Sequence, residues 1–125
     1  MMRAVRGATT AAHDDPDEIY HATGELLVAL MSENGLSRTD IVSAVFTATP
    51  DLSSAFPAQA ARDLGWVDVP LLCAVEIDVP RSVKRCIRVL LHAETEQTSL
   101  RAVYLRGAED LRPDLQAAAG GGTIP

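Results

Sequence analysis

Arginine is the main chemical resource of this chain. Ten of its 11 basic side chains are Arg, and only Lys84 is Lys. A guanidinium stays charged and presents a planar fork of donors that matches a carboxylate. The chain is also rich in Ala, as coding sequences high in G and C tend to be, so composition accounts for most of these arginines and leaves only individual positions functional. Other reactive types are sparse. His13, His21 and His92 show no H-x-H or H-x-x-x-H spacing for a metal. Cys73 and Cys86 lie in apolar stretches without a C-x-x-C pair and read as small buried hydrophobes. No Gly-rich phosphate loop and no G-x-S-x-G elbow is present. Spacing alone leaves a Ser-His-Asp or Cys-His arrangement open, with nothing favouring one. If the chain is an enzyme, the chemistry that remains is positioning and electrostatics, without metal, nucleotide or covalent intermediate.

Composition narrows the partners. The 125 residues suit one domain, and about two-thirds of the unfolded surface is expected to be buried. Eleven basic against 17 acidic side chains give a net charge of −6. That field repels phosphate backbones and anionic lipid, which argues against nucleic acid and membrane as partners. Five aromatic side chains are too few for a base-stacking platform. The opening residues carry no apolar signal segment, and no apolar run approaches the roughly 18 residues of a membrane span. With free thiols, the expected compartment is the cytoplasm.

Five strands and two helices are predicted to position any site. Residues 3–10 read as an opening strand. Asp15 suits an N-cap, Pro16 the first helical position, and Glu18 the third position of a capping box. Ile19, Thr23, Leu26, Leu27, Leu30 and Met31 recur at helical spacing up to Gly35, a fitting stop. Strands are predicted at 41–49, 70–78, 85–95 and 102–106, with a short helix at 57–64 anchored by Trp66. In 85–95, Ile87, Val89, Leu91 and Ala93 share one face, which puts Cys86, Arg88, Leu90 and His92 on the other. The expected fold is α/β or α+β, with a five-stranded mixed sheet, one long helix and one short one. One helix covers only one sheet face, so a homo-oligomer is expected to cover the other.

Four stretches together carry a specific likeness: VRGATT at 5–10, TATPDLSSAFPA at 47–58 with Arg62 beyond, CAVEIDVPRSVKRCIR at 73–88, and Val103–Tyr104 with LRPDL at 111–115. In this order they resemble the monofunctional bacterial chorismate mutases of the α/β class. The resemblance implies a single domain at 1–115, and the Gly-rich composition of 116–125 predicts a flexible tail. It also implies a homotrimer that forms a pseudo-α/β barrel, with active sites between subunits. The reaction would be the Claisen rearrangement of chorismate to prephenate, the entry to phenylalanine and tyrosine synthesis, with no cofactor involved. A trimeric imine or enamine deaminase with a similar barrel, or a non-catalytic metabolite-binding trimer, is the alternative.

Site residues follow from the same resemblance. Arg88 matches the arginine of the C-I-R segment and would meet the negative charge that builds on the ether oxygen in the transition state. Arg6 matches the carboxylate-binding arginine of R-G-A-T-T. Glu76 would accept a hydrogen bond from the substrate hydroxyl, held ionised by arginines rather than acting as an acid or base. Tyr104 would donate to a carboxylate. Phe56, Ala58 and Arg62 match the opposite wall, Leu72 and Cys73 the strand before Glu76, and Leu111 and Arg112 the segment before the tail. Positions 73 and 76 have opposite strand parity, so Cys73 is expected to offer backbone groups and not its thiol. Gln59 stands where the family usually has a Lys, which shifts carboxylate binding toward Arg62 and Arg112.

Overall fold

The structure, a computed structural model, describes residues 1–111. The predicted tail 116–125 and Arg112 lie outside the described residues. The opening run of small and β-branched residues forms β1 (Met2–Thr10). It is followed by α1 (Pro16–Asn34), β2 (Ile41–Ala48), α2 (Ala58–Asp63), β3 (Leu71–Val75), β4 (Cys86–Glu94) and β5 (Val103–Tyr104). The sheet order is β3-β2-β4-β1-β5. Strands β1 and β2 both run antiparallel to β4, while β5 lies parallel to β1 and β3 parallel to β2. The expected five-stranded mixed sheet is present.

The helix signals act as chemistry requires, with one difference. Asp15 accepts from the Glu18 backbone N–H at 3.2 Å, and Gly35 closes α1 in the left-handed region at φ 59°. Glu18, however, does not return the bond to Asp15. Its carboxylate accepts from the Ala12 N–H at 2.6 Å, so it ties the end of β1 to the start of α1 instead of completing a capping box.

Leu26, Leu27 and Leu30 of α1 pack on Val5, Phe46, Val89, Leu91 and Ala93, all buried. This is the face read from 85–95, and α1 covers it. Gly7 makes the contact possible. A Cβ there would lie 2.8 Å from Leu30 Cδ1, 3.1 Å from Leu26 Cδ1 and 3.2 Å from the Val103 carbonyl oxygen.

Two strands are shorter than predicted. The third ends at Val75 and not at 78, because its neighbour β2 stops before Pro50 and offers no further partner beyond one bond, Glu76 N–H to the Ala48 carbonyl at 2.9 Å. The fifth is only Val103–Tyr104. Arg106 and Gly107 take positive φ and turn the chain away from β1.

Candidate active site

The face of the sheet that α1 leaves open carries two rows of side chains. Register places Ala74, Thr47, Arg88, Ala8 and Tyr104 side by side across all five strands. The next row is Leu72, Val45, Leu90 and Arg6. Arg6 therefore shares a face with Arg88, one strand over and one row along. Leu72 is 62% exposed and Leu90 38%, so this side is apolar as well as cationic.

Glu76 follows Ala74 by two residues and keeps to the same face. Its side chain crosses over β2 to reach Arg88 on β4. Arg88 Nε donates to Glu76 Oε2 at 2.6 Å and Nη2 to Oε1 at 2.7 Å, a bidentate pair. Thr47, in the strand between them, donates its hydroxyl to Oε2 at 2.5 Å. The Arg88 hydrogen bond is the main cause that holds the Glu76 carboxyl below the usual glutamate range; burial opposes it, and Thr47 adds to the lowering. The same bond raises Arg88 further. Side-chain exposures of 36% for Arg88 and 15% for Glu76 leave the guanidinium the more accessible partner. The pair lies in a recess of about 230 Å³ together with Thr49, Val83 and Cys86. Burial pushes the Cys86 thiol up to about 11, so no thiolate competes for Arg88.

The loop 76–85 is fastened at its far end. Asp51 accepts from the Arg85 backbone N–H at 2.9 Å, and Arg85 Nε donates to the Ala11 carbonyl at 3.0 Å. This fixes the start of β4, three residues before Arg88, against the ends of β1 and β2.

The other candidates fall into separate places. Tyr104 is half-buried beside Ala8 and Cys86, in the row of Arg88 with Ala8 between them. Arg6 is half-buried, and among the described residues its guanidinium has no hydrogen-bond partner. Cys73 pairs with fully buried Phe46 and packs against the core on the α1 side, opposite Glu76, as parity required. Phe56 is 72% exposed and lines a recess of about 520 Å³ with Cys73. Arg88, Arg6 and Tyr104 do not border that recess. The Ala58 side chain is buried in the core against α1 and β2, so it presents no side-chain surface there. Arg62 is exposed in the last turn of α2. Leu111 closes a short 3-10 turn, Ala108–Leu111.

Sequence reading missed Thr47. Its signal was the alternation in 41–48, where Ala44 and Phe46 face the core and so direct Thr47 to the side of Arg88. Among the described residues there is no cluster of His, Cys, Asp and Glu that would hold a metal. No described helix is long and apolar enough to cross a membrane.

Comparison with known proteins gives a consistent result. The family model for chorismate mutase type I matches residues 2–115. Chorismate mutase AroH of Thermus thermophilus is 49% identical over 94% of this chain and 99% of its own length. Chorismate mutase AroH of Bacillus subtilis (strain 168) is 44% identical over 92% of this chain and 93% of its own. The solved chorismate mutase from Clostridium thermocellum superposes with a TM-score of 0.85 at 47% identity, over 86% of this chain and 98% of the other.

Proposed function

The chain belongs to the chorismate mutase type I family, and on that premise we propose how its residues carry the rearrangement of chorismate to prephenate. Membership displaces the deaminase and non-catalytic readings. The reaction is intramolecular: the ether C–O bond breaks while a C–C bond forms, and no proton needs to move. Negative charge grows on the ether oxygen, so a fixed cation there lowers the barrier by binding the transition state more tightly than the substrate.

Arg88 is that cation. Two of its five N–H groups are spent on Glu76, which leaves three for substrate, held in an orientation that Glu76 sets. Glu76 serves a second purpose. Its Oε2 already accepts two bonds and its Oε1 only one, so Oε1 is the free acceptor for the substrate hydroxyl. Arg6 and the Tyr104 hydroxyl take a carboxylate from the far side of Arg88. Phe56, Arg62 and backbone groups at Leu72, Cys73 and Ala58 form the facing wall, and Leu111 and Arg112 remain candidate substrate-binding residues by the family match alone. The observation that carries this reading is the bidentate Arg88–Glu76 pair on the uncovered sheet face.

The assembly we infer is a homotrimer in a pseudo-α/β barrel, built from domains spanning 1–115. Two features support it. A recess of about 230 Å³ is smaller than ordinary ligand sites of roughly 300–1,000 Å³. Phe56 and Cys73 also border a different recess from Arg88 within one chain. A neighbouring copy laid on the open face would supply the missing wall. A cytoplasmic location agrees with two free cysteines, one of them buried.

Following the ultraviolet absorbance of chorismate tests the assignment. Arg88→Ala is expected to lower kcat by at least about 100-fold, the scale of a lost transition-state donor. A change confined to KM would show that Arg88 only binds substrate.

A further inference from the structure

We infer that Thr47 is a positioning residue of this active site: its hydroxyl fixes the Glu76 carboxylate so that Oε1 faces the substrate hydroxyl and Arg88 is held square to the breaking bond. The inference rests on the roles proposed for Glu76 and Arg88 and adds a third member to their unit.

Sheet order places β2 between β3 and β4, so the Glu76 and Arg88 side chains must together bridge two strand spacings, roughly 9.5 Å, to meet. Thr47 lies directly under that span, paired with Ala74 on one side and Arg88 on the other. Its Oγ1 donates to the oxygen that also accepts Arg88 Nε, at 2.5 Å and 2.6 Å. Two donors on Oε2 and one on Oε1 make the two carboxylate oxygens inequivalent. Without Thr47, the carboxylate keeps only the two parallel bonds to Arg88. It is then free to rock about the axis that joins them, and the acceptor offered to substrate is no longer fixed. A β-branched hydroxyl in a strand has few rotamers, so it aims the bond at little entropic cost.

The groups that face Glu76 are few. From β4 comes Arg88, which lowers its ionisation range, and from β2 comes Thr47, which adds to the lowering; Cys86 of β4 is a neutral thiol that the Glu76 charge helps to push up. Beyond Arg88 and Ala8, Tyr104 of β5 lies in the same row of the sheet. Removing the Thr47 hydroxyl removes one bond to the ionised carboxylate, so Glu76 must titrate at higher pH.

Thr47→Val keeps shape and branching and removes only the donor, while Thr47→Ser keeps the donor. Expected for Thr47→Val is a fall in kcat of about tenfold or more, on the scale of one hydrogen bond to a charged group, and an acid limb of kcat/KM displaced to higher pH. Thr47→Ser is expected to restore both. Glu76→Gln, assayed alongside, separates the two levels of the argument. If Glu76→Gln leaves kcat intact, the role given to Glu76 falls. If Glu76→Gln is impaired while Thr47→Val keeps wild-type kcat and acid limb, the positioning role alone is overturned. A Thr47→Val loss that tracks a lowered melting temperature, with an unmoved acid limb and no recovery in Thr47→Ser, assigns Thr47 to folding and also overturns it.

Discussion

In the site proposed for a dianion, Glu76 stands where a carboxylate is least welcome, and its contacts offset that. The guanidinium of Arg88 takes both of its oxygens and holds the carboxyl below the usual glutamate range. Because the folded value is depressed, the stabilisation from ionised Glu76 is full above the ordinary glutamate range and is lost as pH falls through the lowered value. Activity should therefore hold at mildly acidic pH and fail only below that range, as a kcat/KM profile from neutral to acid pH would show. A limb near neutrality would contradict it. Cys73 is the opposite case. Its thiol packs toward the core on the far side of the sheet, so Cys73→Ala should keep most of kcat, and a fall as large as that of Arg88→Ala would sink the backbone-only role. Both placements were legible from alternation alone: Arg88 opposite Ile87 and Val89, and Cys73 out of phase with Glu76. Thr47 was not legible as a partner of Glu76. That bond joins β2 to the residue just past β3, 29 positions apart with α2 between, and only the parallel register that sets Thr47 beside Ala74 brings the two side chains together.

At the scale of elements, Gly7 decides how closely α1 approaches the sheet. An added methyl would press on two leucine termini and on the Val103 carbonyl, and the last is backbone in the parallel ladder to β5. The leucines can rotate, but the carbonyl cannot move without shifting Tyr104. Gly7→Ala should thus cost about 1–3 kcal/mol, the usual range for overpacking. The check is a lowered urea midpoint at unchanged slope, together with a raised KM, since Arg6 adjoins the strained position. An unchanged midpoint would show that α1 and β5 yield easily. The ends of α1 could be read directly, because Asp15, Pro16 and Gly35 are local signals with local causes. Strand ends could not. Residues 76–78 have the composition of a strand, but β2 has already stopped at Ala48, so they lack a partner and leave the sheet. That departure frees Glu76 to turn toward Arg88 while the loop beyond is fastened through Arg85 to Asp51. The fifth strand shortened for a similar reason, since positive φ at Arg106 and Gly107 ends its pairing.

For the whole molecule, a net charge of −6 and a dianionic substrate appear opposed, yet the charges that matter converge. Arg6 and Arg88 lie on one face within two rows of the sheet, while distant acidic groups are screened beyond about 10 Å at 0.1 M salt. What one chain lacks is a second wall. Its open face exposes Leu72 and Leu90 beside the arginines, and Phe56 faces elsewhere, so the proposed cleft needs Arg88 from one copy and Phe56 from its neighbour. This division has a sharp consequence. Arg88→Ala disables one wall; Phe56→Asp sets a carboxylate against the bound dianion and disables the other, at a position exposed enough to tolerate it. Each variant alone should be nearly inactive. Unfolded together in equal amounts and refolded, they are expected, on the proposed assembly, to form mixed trimers in which about a quarter of the clefts combine two intact walls. Activity should then recover to about that fraction of wild type, and light scattering should give three times the 13.3 kDa chain mass. If each cleft belonged to a single chain, every cleft in the mixture would carry one defect and no activity would return.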